Sequence, residues 1–173
     1  MKYINYFFEI LRSSPIIIDF ILFTLYSVTN NSRFLRLIII KYVGFIINKL
    51  LKNIFRCIFK KFGNKHNDGY YLPILGRGNR PLGAKNCGLF NNCSKKLSKS
   101  YGFPSGHAQY AGTMLVIMNS IIQNPFHQII NLIYSIFIAS ARVYEKCHTI
   151  EQVVAGYVIG IFVTKYLVNN LKI

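Results

Sequence analysis

Apolar residues fill the chain in long blocks separated by one polar stretch. Between Tyr101 and Ala141 there is no Asp, Glu, Lys or Arg, and Gln123, Asn124 and Pro125 interrupt the apolar run near its middle. The pattern predicts two membrane helices joined by a tight turn, about His107 to Ile122 and Phe126 to Arg142. At ~1.5 Å per residue each covers ~24 Å, short of a ~30 Å hydrocarbon core, so both extend into their flanks or sit in a thinned bilayer. A further apolar helix, about Thr149 to Val168, carries Gly156 and Gly160 at a small-x-x-x-small spacing that permits close helix approach.

Two more helices precede the polar centre. The first is expected to open with Ser14 as N-cap and Pro15 at the first helical position and to run through Val28. The second, about Arg33 to Phe59, is apolar but holds Lys41, Lys49, Lys52 and Arg56, which fall at about 0°, 80°, 20° and 60° around the axis. This single stripe is either a basic wall facing acidic headgroups or the active-site entrance, or a set of side chains snorkelling from a tilted helix. Residues 1–13 read as a short interfacial helix, with Tyr3, Tyr6, Phe7 and Phe8 beside Lys2 and Arg12. Residues 60–106 turn to Gly, Asn and Lys with little periodicity, a loop far longer than a helix connection needs, and residues 107–168 form the core helices. The expected fold is all-α: one membrane-embedded domain over residues 1–173, with about five transmembrane helices and one long polar loop.

Charge narrows the chemistry. The chain has 21 Lys and Arg against 5 Asp and Glu, a net charge of +16, which calls for anionic partners. The acids Glu9, Asp19, Asp68, Glu145 and Glu151 are scattered and cannot form a multi-carboxylate metal cluster from one loop, so neither metal nor cofactor is expected. Nucleic acid is disfavoured as a partner, because no aromatic platform, zinc spacing or helix-turn-helix signal accompanies the cations. The four cysteines show no C-x-x-C pair; Cys87 and Cys93 could pair in an oxidising compartment.

Three segments bordering helices hold the candidate chemistry: Gly76 to Pro81, Tyr101 to His107, and Ala141-Arg142 followed by His148 and Gln152. If the helices alternate in direction, all three meet on one membrane face. They bring arginines, two histidines, a serine hydroxyl and the backbone N–H groups of Ser105, Gly106 and His107 at a helix start, which together suit a phosphate. Gly106 lets the backbone approach closely. One histidine can attack phosphorus while the other protonates the leaving oxygen and later activates water.

Arg80-Pro81, Pro104-Ser105-Gly106-His107 and Arg142-x5-His148-x3-Gln152 stand in the order and spacing of the type 2 phosphatidic acid phosphatase superfamily, which the chain resembles over about Arg77 to Gly160. The resemblance implies His148 as nucleophile and His107 as general acid, with Arg80, Arg142, Ser105 and Gly106 holding the phosphoryl group. Three positions depart from the family pattern. Its first lysine would fall at Pro73, so that Arg77 supplies the missing charge or one contact is lost; the serine before Arg142 is Ala141; and the terminal aspartate is Gln152. Gln152 lies four residues after His148, on the same helix face, where its carbonyl could accept from the imidazole Nδ1–H and fix the tautomer. A neutral orienter raises imidazole basicity less than a carboxylate would, which favours a better leaving group. Glu151 or Glu145 could substitute for the lost acid.

His148-Thr-x-x-Gln152, the Arg142-Val-Tyr before it and Tyr101-Gly-Phe-Pro-Ser105 are similar to the dolichyl diphosphatase branch, which releases phosphate from a polyprenyl diphosphate. The expected function is therefore metal-independent hydrolysis of a polyprenyl diphosphate through a phosphohistidine. The alternatives are hydrolysis of phosphatidate or diacylglycerol pyrophosphate, and an inactive membrane protein that only binds lipid phosphate. The expected partners are a lipid phosphate or diphosphate substrate and membrane lipids. The branch implies the endoplasmic reticulum or another internal membrane with a lumenal site, whereas the count of short-loop cations places that face in the cytosol. The sequence leaves both open.

Overall fold

The computed structural model describes residues 2–67, 69–86, 94–97 and 100–171. Five helices carry the architecture: α1 (Lys2–Thr29), α2 (Ser32–Phe62), α3 (Gly106–Ile121), α4 (Pro125–Tyr144) and α5 (Ile150–Asn170). Their limits lie within three residues of those expected for α2 to α5. Asn31, Ser105, Asn124 and Thr149 cap them, each side chain accepting from a backbone N–H of the first turn.

The N-terminal segment differs from expectation. Instead of a short interfacial helix followed by a break at Ser14, α1 runs unbroken through Pro15. Pro15 has no N–H to give the carbonyl of Leu11, but the Ser14 hydroxyl donates to that carbonyl at 2.8 Å, so the orphaned acceptor is satisfied and the helix continues. Ser14 is thus an internal residue that repairs the ladder.

The long loop also holds structure that its composition hides. Strands β1 (Asn64–His66), β2 (Gly69–Leu72) and β3 (Gly76–Arg77) form an antiparallel sheet in that order, and β4 (Lys85–Asn86) pairs antiparallel with β5 (Ser94–Leu97). The fold is mostly helical with these small sheets added. Helices α4 and α5 are long and apolar enough to cross a membrane, and Ser13–Thr29 is a shorter apolar stretch. The proposed Cys87–Cys93 pair lies outside the described residues. Cys57 is a free, exposed thiol, whereas Cys147 is disulfide-bonded, which its spacing did not suggest.

Helices α3 and α5 form the centre. Gly156 faces the carbonyl of Ser105, Gly160 that of Gln109, and Gly112 that of Tyr157, each so close that a Cβ would collide with backbone. The small-residue spacing read in α5 therefore does bring two backbones together. Thr164 Oγ1 donates to Thr113 Oγ1 at 2.9 Å across the same interface. Helix α2 is tied to α3 by two buried bonds, Asn48 Nδ2 to Gln109 Oε1 and Gln109 Nε2 to the Gly44 carbonyl, both 2.8 Å. This packing places the first turn of α3, which holds His107, against the start of α5, which His148 immediately precedes.

Candidate active site

His148 lies in the turn between α4 and α5, 3% exposed, directly before the N-cap Thr149. Its Nδ1 is 2.9 Å from Oε1 of Gln152, which is fully buried. The orientation of that amide is set by its other end: Nε2 donates to the carbonyls of Arg77 at 2.8 Å and Asn79 at 2.7 Å. Carbonyls only accept, so the amide nitrogen must face them and Oε1 must face the ring. Nδ1 therefore carries the proton, and Nε2 keeps its lone pair. The Thr149 N–H also approaches Oε1, at 3.4 Å, closing a capping box.

Glutamine at this position consequently does more than stand in for an acid. A carboxylate could accept from His148 and Thr149 but could give nothing to the two loop carbonyls. Gln152 clamps the loop that follows β3 onto the turn that carries His148. Gly102 completes the fit, since a Cβ there would meet Gln152 Nε2 at 2.6 Å and Arg80 N at 2.8 Å. Neither glutamate replaces it: Glu145 pairs with Arg142 at 3.1 Å, and Glu151 packs against Gly76.

Burial, then the charge of Arg80, hold His148 well below its ordinary 6.5; the bond to Gln152 opposes this, while Lys52 and Arg142 add to it. The ring is neutral at pH 7, the form a nucleophile requires. Arg80 reaches the same spot from the loop after β3. Its Nη1 donates to the Cys147 carbonyl at 3.3 Å and its Nη2 to Ser100 Oγ at 2.8 Å, while Nε is buried without a partner among the described residues. Burial and the charge of Arg142 push this guanidinium down to about 10, still cationic at neutral pH. An anion bound beside it would offset both effects by its opposite charge.

A cavity of about 500 Å³ joins these groups, with His107, His148, Arg80, Ser100, Gly106 and Lys52 at one end. From there it follows α2 past Asn48 and Lys49 to Phe45, Tyr42, Tyr110 and Ile16 between α1, α2 and α3. The sequence thus names correctly a set of residues that converge: His107, His148, Arg80 and Gly106 share the cavity, with Gln152 bonded to His148 behind it. Arg142, 2% exposed, stands behind this wall on Glu145 and Cys147 Sγ, and its charge acts on Arg80 and His148.

Two further expected anion contacts are placed differently. Arg77 does not line the cavity; its guanidinium stands 6.0 Å from the Tyr71 ring, and its carbonyl is what Gln152 holds. The Ser105 N–H, expected to be open at the start of α3, donates instead to the Gln152 carbonyl at 3.0 Å, and Ser105 Oγ accepts from Ala108 N–H at 3.4 Å. Ser105 is a cap that locks α3 to α5. Of the residues at this helix start, Gly106 and His107 line the cavity.

The basic stripe of α2 divides. Lys41 forms an ion pair with Asp19 and donates to the Pro15 carbonyl at 3.2 Å, Lys49 lies over the Phe45 ring at 4.7 Å, and Lys52 donates to the Tyr101 carbonyl at 2.8 Å. Sequence reasoning gave the stripe no single role. Nothing in the sequence distinguished Lys52 from the other members of the stripe.

A family model described as the PAP2 superfamily matches residues 33–172, a span that takes in α2 from Arg33, all of α3 to α5, and Arg80, His107, Arg142, His148 and Gln152. Comparisons with curated proteins and with solved structures gave no match. Members of this superfamily are phosphatases that act on lipid phosphates. A cationic cavity running into apolar side chains, beside two helices able to cross a membrane, is the site such a substrate needs. With most of its length matched in this way, the chain belongs to the PAP2 superfamily and is a membrane phosphatase.

Proposed function

We propose that the chain hydrolyses a polyprenyl diphosphate, releasing phosphate, with His148 as nucleophile. One observation carries the reading: Gln152 holds the His148 proton on Nδ1, which directs a free lone pair on Nε2 into a cavity it shares with Arg80 and His107. In the first step Nε2 forms a bond to the terminal phosphorus while the bond to the bridging oxygen breaks. Protonated His107 gives its proton to that oxygen, and polyprenyl monophosphate leaves. In the second step neutral His107 takes a proton from water, the water oxygen bonds to phosphorus, and the P–N bond breaks to return His148 and phosphate.

Arg80, the first turn of α3 at Gly106, and Arg142 from behind stabilise the negative charge in both steps. A phosphate monoester is a better leaving group than an alkoxide, which suits a histidine oriented by an amide rather than a carboxylate. The apolar arm of the cavity between α1 and α2 supports a lipid chain entering from the bilayer. The disulfide at Cys147, next to His148, favours an oxidising compartment on this face, such as the lumen of the endoplasmic reticulum.

The test is a panel of polyprenyl diphosphate, phosphatidate and diacylglycerol pyrophosphate offered to the purified protein in detergent, with EDTA present. Release of phosphate fastest from the polyprenyl diphosphate is expected, and a preference for phosphatidate would overturn the assignment. His148→Ala should abolish both turnover and acid-labile phosphoenzyme, a loss of about 10³-fold or more. Labelling that survives this change would place the nucleophile elsewhere.

A further inference from the structure

We propose that Lys52 is a further phosphate-binding residue, delivered from α2 to the site that the loops otherwise build. This rests on the reading that the cavity takes a phosphoryl group. Four observations support it. Lys52 lines the cavity at the end shared by Arg80, His107 and His148. Its Nζ makes one hydrogen bond among the described residues, to the Tyr101 carbonyl at 2.8 Å, which leaves the other N–H donors of the ammonium group for a ligand. No carboxylate among the described residues neutralises it: Glu145 is engaged by Arg142, and Asp19 by Lys41 farther along α2. Its charge acts on His148 together with those of Arg80 and Arg142.

An arrangement of like charges around a neutral ring is costly without a ligand and favourable with a multiply charged anion between them. Among the described residues, two loop positions that the sequence suggested for a cation do not bring one to the cavity. Position 73 is an exposed proline, and Arg77 turns to Tyr71 instead of the cavity. Helix α2 makes up the difference. The bond to the Tyr101 carbonyl fixes the ammonium group beside the segment that leads into Gly106 and His107, so the lysine is held at the cavity before any substrate arrives.

The experiment measures binding of inorganic phosphate to the full chain in detergent, by calorimetry and as competitive inhibition of turnover. Lys52→Met keeps the length and removes the charge. Its phosphate dissociation constant should rise about 10- to 100-fold, the range for loss of one charge-assisted hydrogen bond. Lys52→Arg should recover part of this, and Lys60→Met, at the exposed end of α2, should change nothing. Unchanged phosphate affinity in a folded Lys52→Met protein would overturn the proposal.

If that variant does not fold, saturating phosphate should protect Lys52 of the wild-type protein from an amine-acylating reagent, read by peptide mass spectrometry, and equal modification with and without phosphate would overturn it. The two readings fail separately. Wild-type protein that hydrolyses no lipid phosphate while Lys52→Met weakens phosphate binding would remove the proposed reaction and keep the lysine. Normal turnover with unaltered phosphate binding in Lys52→Met would do the reverse.

Discussion

The α3–α5 pair and the α1–α2 pair are built on opposite rules. Between α3 and α5, glycines at 112, 156 and 160 let backbone touch backbone, and the two helix starts that carry His107 and His148 are locked through Ser105 and Gln152. Between α1 and α2 the polar contacts are made by long side chains, Lys41 with Asp19 and Tyr42 with Asp19 at 3.4 Å. Away from the cavity that pair leaves large apolar residues such as Phe20, Phe23 and Ile46 exposed, as lipid contact requires. The contrast assigns rigidity to the chemistry and adaptability to the wall along which a lipid chain would lie.

The largest effect that would break this contrast comes from a glycine of α5. Gly160→Leu drives a side chain into the Gln109 backbone, and neither helix can yield without moving its histidine. A loss on the order of 3 kcal/mol of stability, with turnover falling in parallel, is expected in thermal unfolding and phosphate-release assays. Retention of both would show that α3 and α5 can slide.

Gln152→Asp tests the clamp itself. It leaves the carbonyls of Arg77 and Asn79 without donors, at about 1–3 kcal/mol for each buried group, so the variant should melt lower and turn over more slowly although it restores a carboxylate. A more active and equally stable protein would show that the loop contacts are dispensable.

Acid pH should sharpen the picture next. The unfolded chain protonates this imidazole near 6.5, and the folded chain only at lower pH, so the unfolded state binds more protons below 6.5. The stability contribution is complete above 6.5 and declines as pH falls beneath it. Melting temperature against pH should show that decline, and His148→Gln should flatten it. The same depression should place the acid limb of kcat/KM below 6.5. The smallest effect belongs to the adaptable half: replacing Asp19 and Lys41 together by Leu and Met should alter stability by no more than about 1 kcal/mol in denaturant titration, because a partly exposed pair contributes little net.

Much of this was legible in the sequence because lipid imposes a coarse code. The charge-free run from Tyr101 to Ala141, broken once at Pro125, located α3 and α4 within a few residues. The convergence of His107, His148 and Arg80 followed from alternating helices. The errors arose where a single hydrogen bond decides. Pro15 reads as a helix start until the Ser14 hydroxyl is seen to serve Leu11, and strands of two to four residues have no alternation to detect. Gln152 reads as a weakened aspartate because its acceptor can be placed by helical spacing, whereas its donors reach a loop more than 70 residues away in sequence. Ser105 and Arg77 were expected to hold anion, but tertiary partners claim the Ser105 N–H and turn the Arg77 side chain aside.

The amide of Gln152 has one further consequence. Its two ends differ only in which atom is nitrogen, and the carbonyls of Arg77 and Asn79, together with the Thr149 N–H, decide which end the imidazole meets. Were that loop to lift, a half-turn of the amide would offer a donor to the ring, and the proton would migrate to the nitrogen that must attack. If His148 attacks as proposed, seating of the loop and arming of its ring are a single event, and ring-nitrogen NMR shifts with the loop cut by a protease would read it directly.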